Sequence, residues 1–307
     1  MTRLPSAVTI GNFDGVHAGH RQLLQTVVRL AHENDWIPTA VTFHPHPTKV
    51  VAPHRAPRLL TTPEERAALM RSEGIESVLI VAFTEAFAQQ TPDEFVRQIL
   101  VEGLNARAVC VGDNFRFGHR QAGDIHALRV LGAQYGFEVH VIPGIKVRGR
   151  MASSSEIRNL IETGNVSLAG RLLGRPVTLA GEVIPGRGIG SKQTVPTLNL
   201  RTYSEILPKI GVYITDTVDL NDGRRWPALT NLGHRPTFDG GDLSIETYLL
   251  APLTGPTPER IQLTFCRRVR DERKFATPED LKAQILRDVQ TAQRYFRRRD
   301  RFALTAR

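Results

Sequence analysis

Two histidines set three residues apart, His17 and His20, carry the clearest chemical signal in the sequence, within GNFDGVHAGH at residues 11–20. A β-branched run at residues 8–10 precedes this segment, and apolar residues at helical spacing follow it. Side chains three apart at a helix start share one face, and the unpaired N–H groups there attract anions. Gly19 lets an anion approach the backbone closely. The pattern predicts a strand, a phosphate-binding turn and a helix. The alternative is that both histidines only cap the helix or face solvent.

A second helix start of similar character lies in ASSSEIRNLIETG at residues 152–164. Its three serines offer hydroxyl groups, and Arg158 follows one turn into the helix. Hydroxyl groups, backbone N–H groups and a guanidinium together suit the oxygens of a phosphate. The segment therefore predicts a second phosphate contact, while ordinary capping of the helix by the serines is the alternative.

A polar loop with two aromatic residues follows a predicted strand at residues 108–112. In this loop Phe115 and Phe117 flank Arg116, so the loop could stack on a planar ring and neutralise a phosphate. Ligands of open α/β sheets bind at such loops, beyond the carboxyl ends of the strands. The other interpretation is that both aromatic rings belong to the core.

Two features in the second half of the chain indicate phosphate and metal chemistry. Residues 186–200, GRGIGSKQTVPTLNL, begin with a glycine-rich loop whose N–H groups, with Lys192, suit phosphates. Thr197 and Asn199 lie two residues apart, on one face of a strand, and their oxygens suit Mg²⁺. Glu246 is an isolated carboxylate in an apolar strand. It is either a base positioned to deprotonate an alcohol or a solvent-facing side chain.

The elements that must position these residues alternate regularly in the first half of the chain. Strand-like runs are separated by helical patterns in the order β-α-β-α-β-α-β, which predicts a doubly wound parallel sheet with helices on both faces. The strands after the first are residues 39–43, 77–83 and 108–112. Three helices are predicted to begin with a threonine, a proline and acidic residues, at residues 62–65, 91–94 and 277–280.

The periodicity changes after Arg175 and Pro176, so we place a domain boundary between residues 175 and 176. Short β-branched segments interrupted by glycine and proline predict an antiparallel barrel, and they are residues 177–184, 211–219, 227–231, 244–250 and 260–269. One long helix ends the chain, with an apolar stripe at Leu281, Ile285, Val289, Ala292 and Phe296. The sequence thus predicts an α/β domain over residues 1–175 and a small β-barrel domain over residues 176–307.

Composition narrows the class of protein. The 307 residues suffice for two domains, and the net charge of +9 is spread along the chain apart from a concentration at residues 294–301. Aromatic RNA-binding signatures are absent from the sequence, so we expect anionic small molecules rather than nucleic acid as partners. No apolar run approaches the roughly 18 residues that span a membrane. Cys110 and Cys266 indicate neither a disulfide framework nor a zinc cluster. We expect a cytoplasmic protein, monomeric or weakly homo-oligomeric.

In their joint order and spacing the motifs resemble those of the bacterial bifunctional riboflavin kinases/FMN adenylyltransferases, or FAD synthetases, along essentially the whole chain. The first half matches at GNFDGVHAGH, TFHPHP, GDNFRFG and SSSEIR, and the second at PTLNL, NLGHRPTF, the strand of Glu246 and RDERKF. His-Ala-Gly-His is similar to the His-x-Gly-His signature of nucleotidylyltransferases. The chain departs from the family in having His44 where an acid is usual, Ser155 where threonine is usual, and Gln193-Thr194 where Leu-Gly is commoner.

The resemblance implies a transferase that phosphorylates riboflavin to FMN and adenylylates FMN to FAD, with ATP as co-substrate and Mg²⁺ as metal. It implies catalytic roles for His17, His20 and Glu246 and a metal site at Thr197 and Asn199. The residues that it assigns to ATP are Gly11, Phe13, Asp14, Gly19, Ser154, Ser155, Arg158, Gly186, Gly188, Gly190, Lys192 and Thr197. Those that it assigns to flavin are His46, Asp113, Asn114, Phe115, Arg116, Phe117, Arg270 and Phe275. The rival interpretation, a different adenylyl- or cytidylyltransferase with a C-terminal binding domain, gives PTLNL and Glu246 no role.

Overall fold

The computed structural model describes residues 4–185, 197–234 and 243–305. The chain forms two compact units, Met1–Glu156 and Ile157–Arg307. This division falls earlier than the boundary that the sequence predicts between residues 175 and 176. The division falls within α7 (Ser154–Glu162), and α8 (Val166–Leu173) lies between the division and the predicted boundary. The assignment of residues 1–175 and 176–307 to separate functional domains stays a prediction.

A parallel sheet of five strands in the order β3-β2-β1-β4-β5 forms the centre of the first unit. The chain moves from β1 outward to β3 and then returns to the other side of β1 at β4, so the carboxyl ends of β1 and β4 border the crevice where ligands of such sheets bind. The predicted doubly wound sheet is confirmed. The strands are β1 (Ser6–Ile10), β2 (Ile37–His44), β3 (Ser77–Ala82), β4 (Ala106–Gly112) and β5 (Glu138–Ile142).

The helices of this unit are α1 (Ala18–Glu33), α2 (Pro47–Val51), α3 (Pro63–Ser72), α4 (Glu85–Ala88), α5 (Pro92–Phe95), which continues as a π-helical segment over Val96–Gly103, and α6 (Ile125–Tyr135). A two-stranded hairpin, β6 (Lys146–Val147) and β7 (Arg150–Met151), leads to α7. The predicted capping boxes are present at Thr62 and Thr91, where each threonine side chain accepts from the N–H three residues on. Apolar strands with both faces buried, typical of parallel sheets, supply the core.

Six strands form a closed antiparallel barrel in the second unit, in the order β10-β11-β12-β9-β8-β13. The barrel strands are β8 (Val177–Ile184), β9 (Thr197–Thr202), β10 (Gly211–Asp219), β11 (Arg225–His234), β12 (Leu243–Leu249) and β13 (Arg260–Arg270). The last helix, α9 (Pro278–Thr305), packs Ala292 and Phe296 against apolar side chains of the barrel. The predicted barrel and terminal helix are confirmed, but Leu281, predicted in the buried stripe of this helix, is exposed because it lies in the first turn, away from the apolar cluster that holds Ala292 and Phe296. Among the described residues, every helix is too short or too polar to cross a membrane.

Candidate active sites

The turn between β1 and α1 is tightly constrained. The N–H of Gly11 donates to the carbonyl of Val41 on the neighbouring strand at 3.0 Å. Phe13 and Val16 are both buried and both have positive φ, +47° and +38°. Such backbone angles are unfavourable for a bulky residue, above all for β-branched valine, and strain of this kind accumulates at functional sites. The predicted strand, turn and helix are present, and the turn is held in one shape.

His17 and His20 lie together at the start of α1. His17 is the N-cap residue, and its Nδ1 accepts a hydrogen bond from the backbone N–H of His20 at 3.3 Å. Because Nδ1 accepts, a neutral His17 carries its proton on Nε2. The two rings stack with their centroids 3.6 Å apart and their planes 17° apart. A side chain at Gly19 would press against the ring of His17 and the carbonyl of Ala152.

The environment of His20 favours the neutral imidazole. Burial, the neighbouring His17 and the positive charge of Arg66 together hold the pKa of His20 well below its ordinary value. The ring of Phe13 meets the ring of His20 edge to face at 5.1 Å. Nδ1 of His20 is buried and has no hydrogen-bond partner among the described residues. A neutral ring with an unsatisfied buried nitrogen is suited to a polar ligand group at this position.

Asp14 shapes the turn from within. Its side chain is 1% exposed, and Oδ1 accepts from the backbone N–H groups of Leu60 and Thr61 at 3.0 and 3.1 Å and from the Thr61 hydroxyl at 3.1 Å. The backbone carbonyl of Asp14 accepts from the hydroxyl of Ser154 at 2.8 Å. These bonds join the start of α1 to the start of α7. ATP contacts for Asp14 and Ser154 stay predictions.

The second predicted phosphate contact lies beside the first. Ser153 caps α7 by accepting from the N–H of Glu156 at 3.2 Å, so the capping role falls on this serine. The side chain of Ser155 is exposed at the helix start, and Arg158 follows one turn along α7. The structure therefore brings the start of α7 to the histidine turn, as the sequence predicts. Which phosphate oxygens these groups bind stays a prediction.

His46, assigned to flavin by resemblance, also contacts the turn. Its Nδ1 accepts from the N–H of Thr48, capping α2, and its Nε2 lies 3.2 Å from Nδ2 of Asn12. The sequence analysis did not select Asn12, although it stands inside the quoted motif. The contact identifies Asn12 as the residue that connects the turn to the HPHP segment after β2.

The 113–117 loop is only partly exposed. The carboxylate of Asp113 accepts from the N–H of Gly144 at 3.4 Å, Asn114 is exposed, and Arg116 lies 3.4 Å from the carboxylate of Asp124. Phe117 is buried in the core and stacks on the half-buried Phe115, with centroids 5.4 Å apart. The core interpretation is confirmed for Phe117, and Phe115 packs partly buried against the same core. Flavin contacts for this loop stay predictions.

Aromatic rings that the sequence analysis did not select extend from this loop across the carboxyl edge of the sheet. Successive pairs lie 5.4–6.2 Å apart between centroids, and the rings are Phe43, Phe83, Phe87, Phe95, Phe117 and Phe115. Aromatic residues at the ends of consecutive strands were the available signal. Phe95 and Phe117 are buried in the core, and the four half-buried rings form an apolar, polarisable wall that suits a planar ring, namely Phe43, Phe83, Phe87 and Phe115.

In the barrel, three polar side chains occupy one row across adjacent strands. Glu246 on β12 lies directly opposite Asn199 on β9 and directly opposite Asn231 on β11. Thr197 precedes Asn199 by two residues and shares its face. Asn199 is nearly buried, whereas Glu246 and Thr197 are exposed. Directly opposed side chains on neighbouring strands are within contact distance, so the residues predicted for base and metal chemistry come together. Asn231 was missed because its register depends on the fold.

The glycine-rich loop cannot be assessed in the same way. The residues outside the described part of the chain include the second half of the NLGHRPTF segment, residues 235–238, and all of Gly186, Gly188, Gly190, Lys192, Gln193 and Thr194. The phosphate contacts predicted for the three glycines and Lys192 stay predictions.

Arg270 and Phe275, predicted to lie over the flavin, are brought together after β13. The guanidinium of Arg270 lies 5.9 Å from the centre of the Phe275 ring. Its Nε donates to the carboxylate of Asp288 on α9 at 2.9 Å, and Asp288 in turn accepts from Gln284 at 2.7 Å. Asp288 and Gln284 are buried. These two residues, which the sequence analysis did not select, hold the segment after β13 against the last helix.

Comparisons with known proteins match the two halves of the chain to two different families. Residues 2–156 match the family model described as FAD synthetase, and residues 173–296 match the one described as riboflavin kinase. The bifunctional riboflavin kinase/FMN adenylyltransferase of Escherichia coli K12 is 34% identical over 94% of this chain and 92% of its own. That of Pseudomonas fluorescens is 36% identical over 92% of this chain and 91% of its own.

A solved structure of a macrolide-efflux protein from Streptococcus pneumoniae is 27% identical to this chain. It superimposes with a TM-score of 0.85 and covers 95% of each chain. The two proteins therefore share their fold along nearly their whole length.

Proposed function

The chain belongs to the bifunctional riboflavin kinase/FMN adenylyltransferase family, and we propose that its two units divide the two reactions between the residue groups described above. It is a transferase that phosphorylates riboflavin to FMN and adenylylates FMN to FAD, with ATP as the other substrate. One observation carries the assignment of residues. The stacked His17 and His20 lie in the part matched by FAD synthetase, and the row of Glu246, Asn199 and Asn231 lies in the part matched by riboflavin kinase.

In adenylyl transfer, a phosphate oxygen of FMN forms a bond to the α-phosphorus of ATP, and the bond to pyrophosphate breaks. The attacking oxygen is already an anion, so no protein base is needed, and the site must align the reactants and stabilise negative charge. His17 donates from Nε2–H and His20 from its neutral ring toward the phosphates. Ser155 and Arg158 bind the phosphates that leave. The wall of phenylalanine rings and the 113–117 loop accept the flavin.

In the kinase reaction, the ribityl 5′-hydroxyl oxygen attacks the γ-phosphorus of ATP, and the bond to ADP breaks. An alcohol is a weak nucleophile, so a base raises the rate, and the exposed carboxylate of Glu246 accepts the proton. Thr197 and Asn199 offer a hydroxyl and an amide oxygen on the same strand face as Glu246, a hard oxygen set that fits Mg²⁺. When bound, the ion neutralises charge on the ATP phosphates. Asn231 orients the carboxylate from the other side.

Location and assembly are further parts of the proposal. A cytoplasmic protein that is monomeric or weakly self-associating, without nucleic acid as a partner, fits the small-molecule substrates. Gel filtration at several concentrations, with absorbance read at 260 and 280 nm, tests the assembly and the absence of nucleic acid.

The test of the assignment uses two variants of the full chain. Purified protein is incubated with riboflavin or FMN, ATP and Mg²⁺, and the flavins are separated by chromatography over time. We expect FMN first and FAD second from the wild type. Glu246→Gln should abolish FMN formation from riboflavin and preserve FAD formation from FMN, and His20→Ala should do the reverse. His126→Ala, at an exposed position on α6, is the control.

Loss of both activities from either folded variant would contradict the assignment of one residue group to each reaction. Absence of product from both riboflavin and FMN in the wild type would contradict the function itself.

A further inference from the structure

Arg66 on α3 is an arginine buried inside the first unit, with 1% of its surface exposed. Its Nη1 donates to the hydroxyl of Thr42 at 3.2 Å and toward the carbonyl of Phe43 at 3.4 Å. Nε has no hydrogen-bond partner, and the guanidinium forms no ion pair, among the described residues. A buried charge that forms no ion pair destabilises a fold. The carboxylates of Asp14 and Glu64 favour the charged form of Arg66 from beyond ion-pair distance and so offset part of this cost. An incompletely paired buried charge of this kind is typical of functional sites.

The hydrogen bonds of Arg66 lead into the histidine turn. The hydroxyl of Thr42, itself fully buried, donates to the backbone carbonyl of Asn12 at 3.1 Å. Asn12 lies between Gly11 and Phe13 in the turn and contacts His46. Arg66 therefore reaches the turn through one intermediate side chain and is itself buried.

A second connection runs from the same segment to the same turn. The residues just before α3, Leu60 and Thr61, bind the carboxylate of Asp14, and the hydroxyl of Thr61 accepts from the N–H of Gly15 at 3.0 Å. Residues 60–66 thus support the turn at its beginning, through Arg66 and Thr42, and at its middle, through Thr61. The turn needs this support because two of its bulky residues have positive φ.

We propose that Arg66 is a positioning residue for adenylyl transfer, acting through Thr42 on the backbone of Asn12 and through its charge on the histidine pair. The inference rests on the adenylyl-transfer site proposed above and adds a residue that touches neither substrate.

The charges around the histidines are consistent with the second part of the proposal. Burial opposes protonation of His20 most strongly and lowers its pKa, and His17, stacked on His20, and Arg66, on α3, lower it further. The carboxylates of Asp14 and Glu64 act on Arg66 itself and favour its charged form, against burial, which lowers its pKa. Removal of the Arg66 charge should therefore raise the pKa of His20.

Three variants of the full chain separate the two effects. Arg66→Met removes the charge and the hydrogen bonds, and Arg66→Lys keeps the charge. Thr42→Val removes the intermediate hydroxyl but keeps the charge of Arg66 and the volume of the side chain at position 42. We measure kcat and KM for FAD formation from FMN, FMN formation from riboflavin in the same preparation, and the titration of His20 by NMR. His20→Gln assigns the resonance.

Arg66→Met should lower kcat for FAD formation roughly tenfold or more, with KM for FMN changed less than about threefold and FMN formation unchanged. His20 should titrate at higher pH in Arg66→Met and at the wild-type pH in Arg66→Lys and Thr42→Val. Arg66→Lys should restore part of the lost kcat. Thr42→Val should lose kcat, and its effect should not add to that of Arg66→Met, since both interrupt one chain of bonds.

Wild-type kcat in Thr42→Val, or an unchanged His20 titration in Arg66→Met, would overturn the inference. Equal loss of both activities in Arg66→Met, without recovery in Arg66→Lys, would mean that Arg66 only stabilises the fold, and this result would also overturn the inference. If Arg66→Met does not fold, Arg66→Lys and Thr42→Val decide the matter. If the wild type makes no FAD, the proposed function fails, and the His20 titration alone decides the inference.

Discussion

Replacement of Asp14 by alanine should destabilise the first unit strongly, because the carboxylate serves buried donors. Oδ1 accepts from the N–H groups of Leu60 and Thr61 and from the Thr61 hydroxyl, in a side chain that is 1% exposed. A hydroxyl can turn to another acceptor, but a backbone N–H is fixed. Each buried N–H left without an acceptor costs about 1–3 kcal/mol, so two give about 2–6 kcal/mol. Since domains are stable by about 5–15 kcal/mol, the loss is a large share of the total.

Urea unfolding followed by circular dichroism, together with the two flavin assays, measures this effect. Asp113→Ala is the matched control for the unfolding measurement, because that aspartate also follows a sheet strand, but it is exposed and accepts a long bond of 3.4 Å from Gly144. It should change the free energy of unfolding by less than about 0.5 kcal/mol. FAD formation should fall in Asp14→Ala while FMN formation persists. Equal, small losses of stability in the two variants would refute the reasoning.

Three further predictions concern single residues. Asn231→Ala should lower the rate of FMN formation from riboflavin roughly tenfold and leave FAD formation unchanged, because Asn231 lies directly opposite Glu246. An unchanged rate of FMN formation would show that Asn231 does not belong to the kinase site. Because the pKa of His20 is lowered in the folded protein, the unfolded chain binds more protons between that pKa and about 6.5. The free energy of unfolding should therefore fall as the pH falls through this window, and it should fall less in His20→Gln. Urea unfolding at pH 7.5 and 5.5 measures the difference. Burial raises the pKa of Cys110 to about 12 and that of Cys266 to about 11. At pH 8 iodoacetamide should therefore modify neither thiol in the native protein and both thiols in urea. Mass spectrometry detects the modification.

The fold was predictable from the sequence because its signals are local. Thr62 and Thr91 begin helices through a reciprocal bond with a glutamate three residues on, and this pattern is readable in four letters. The alternation of strands and helices in the first half likewise predicted the parallel sheet, and the short interrupted strands in the second half predicted the barrel. The proximity of His17 and His20 was predictable for the same reason, since side chains three residues apart at a helix start share one face.

The remaining features of the sites depend on partners distant in sequence. The helix of Arg66 has a polar sequence that does not indicate burial of this side chain. The role of Arg66 therefore could not be recognised until the fold placed Thr42 beside it. The inward direction of the Asp14 carboxylate depends on Thr61, and the pairing of Asn231 with Glu246 depends on the register of two barrel strands. Long-range pairing of this kind has no signature in a single sequence.

The two sheets differ in how they end. A closed barrel has no free strand edge, whereas in the five-stranded sheet β3 and β5 each pair on one side only. β3 reads SVLIVA, an uncharged, β-prone segment of the kind that joins strands of other molecules. We therefore expect association at high protein concentration to begin at this edge of the first unit. Ile80, 40% exposed in the middle of this edge strand, is the position where a lysine would protect concentrated solutions from aggregation.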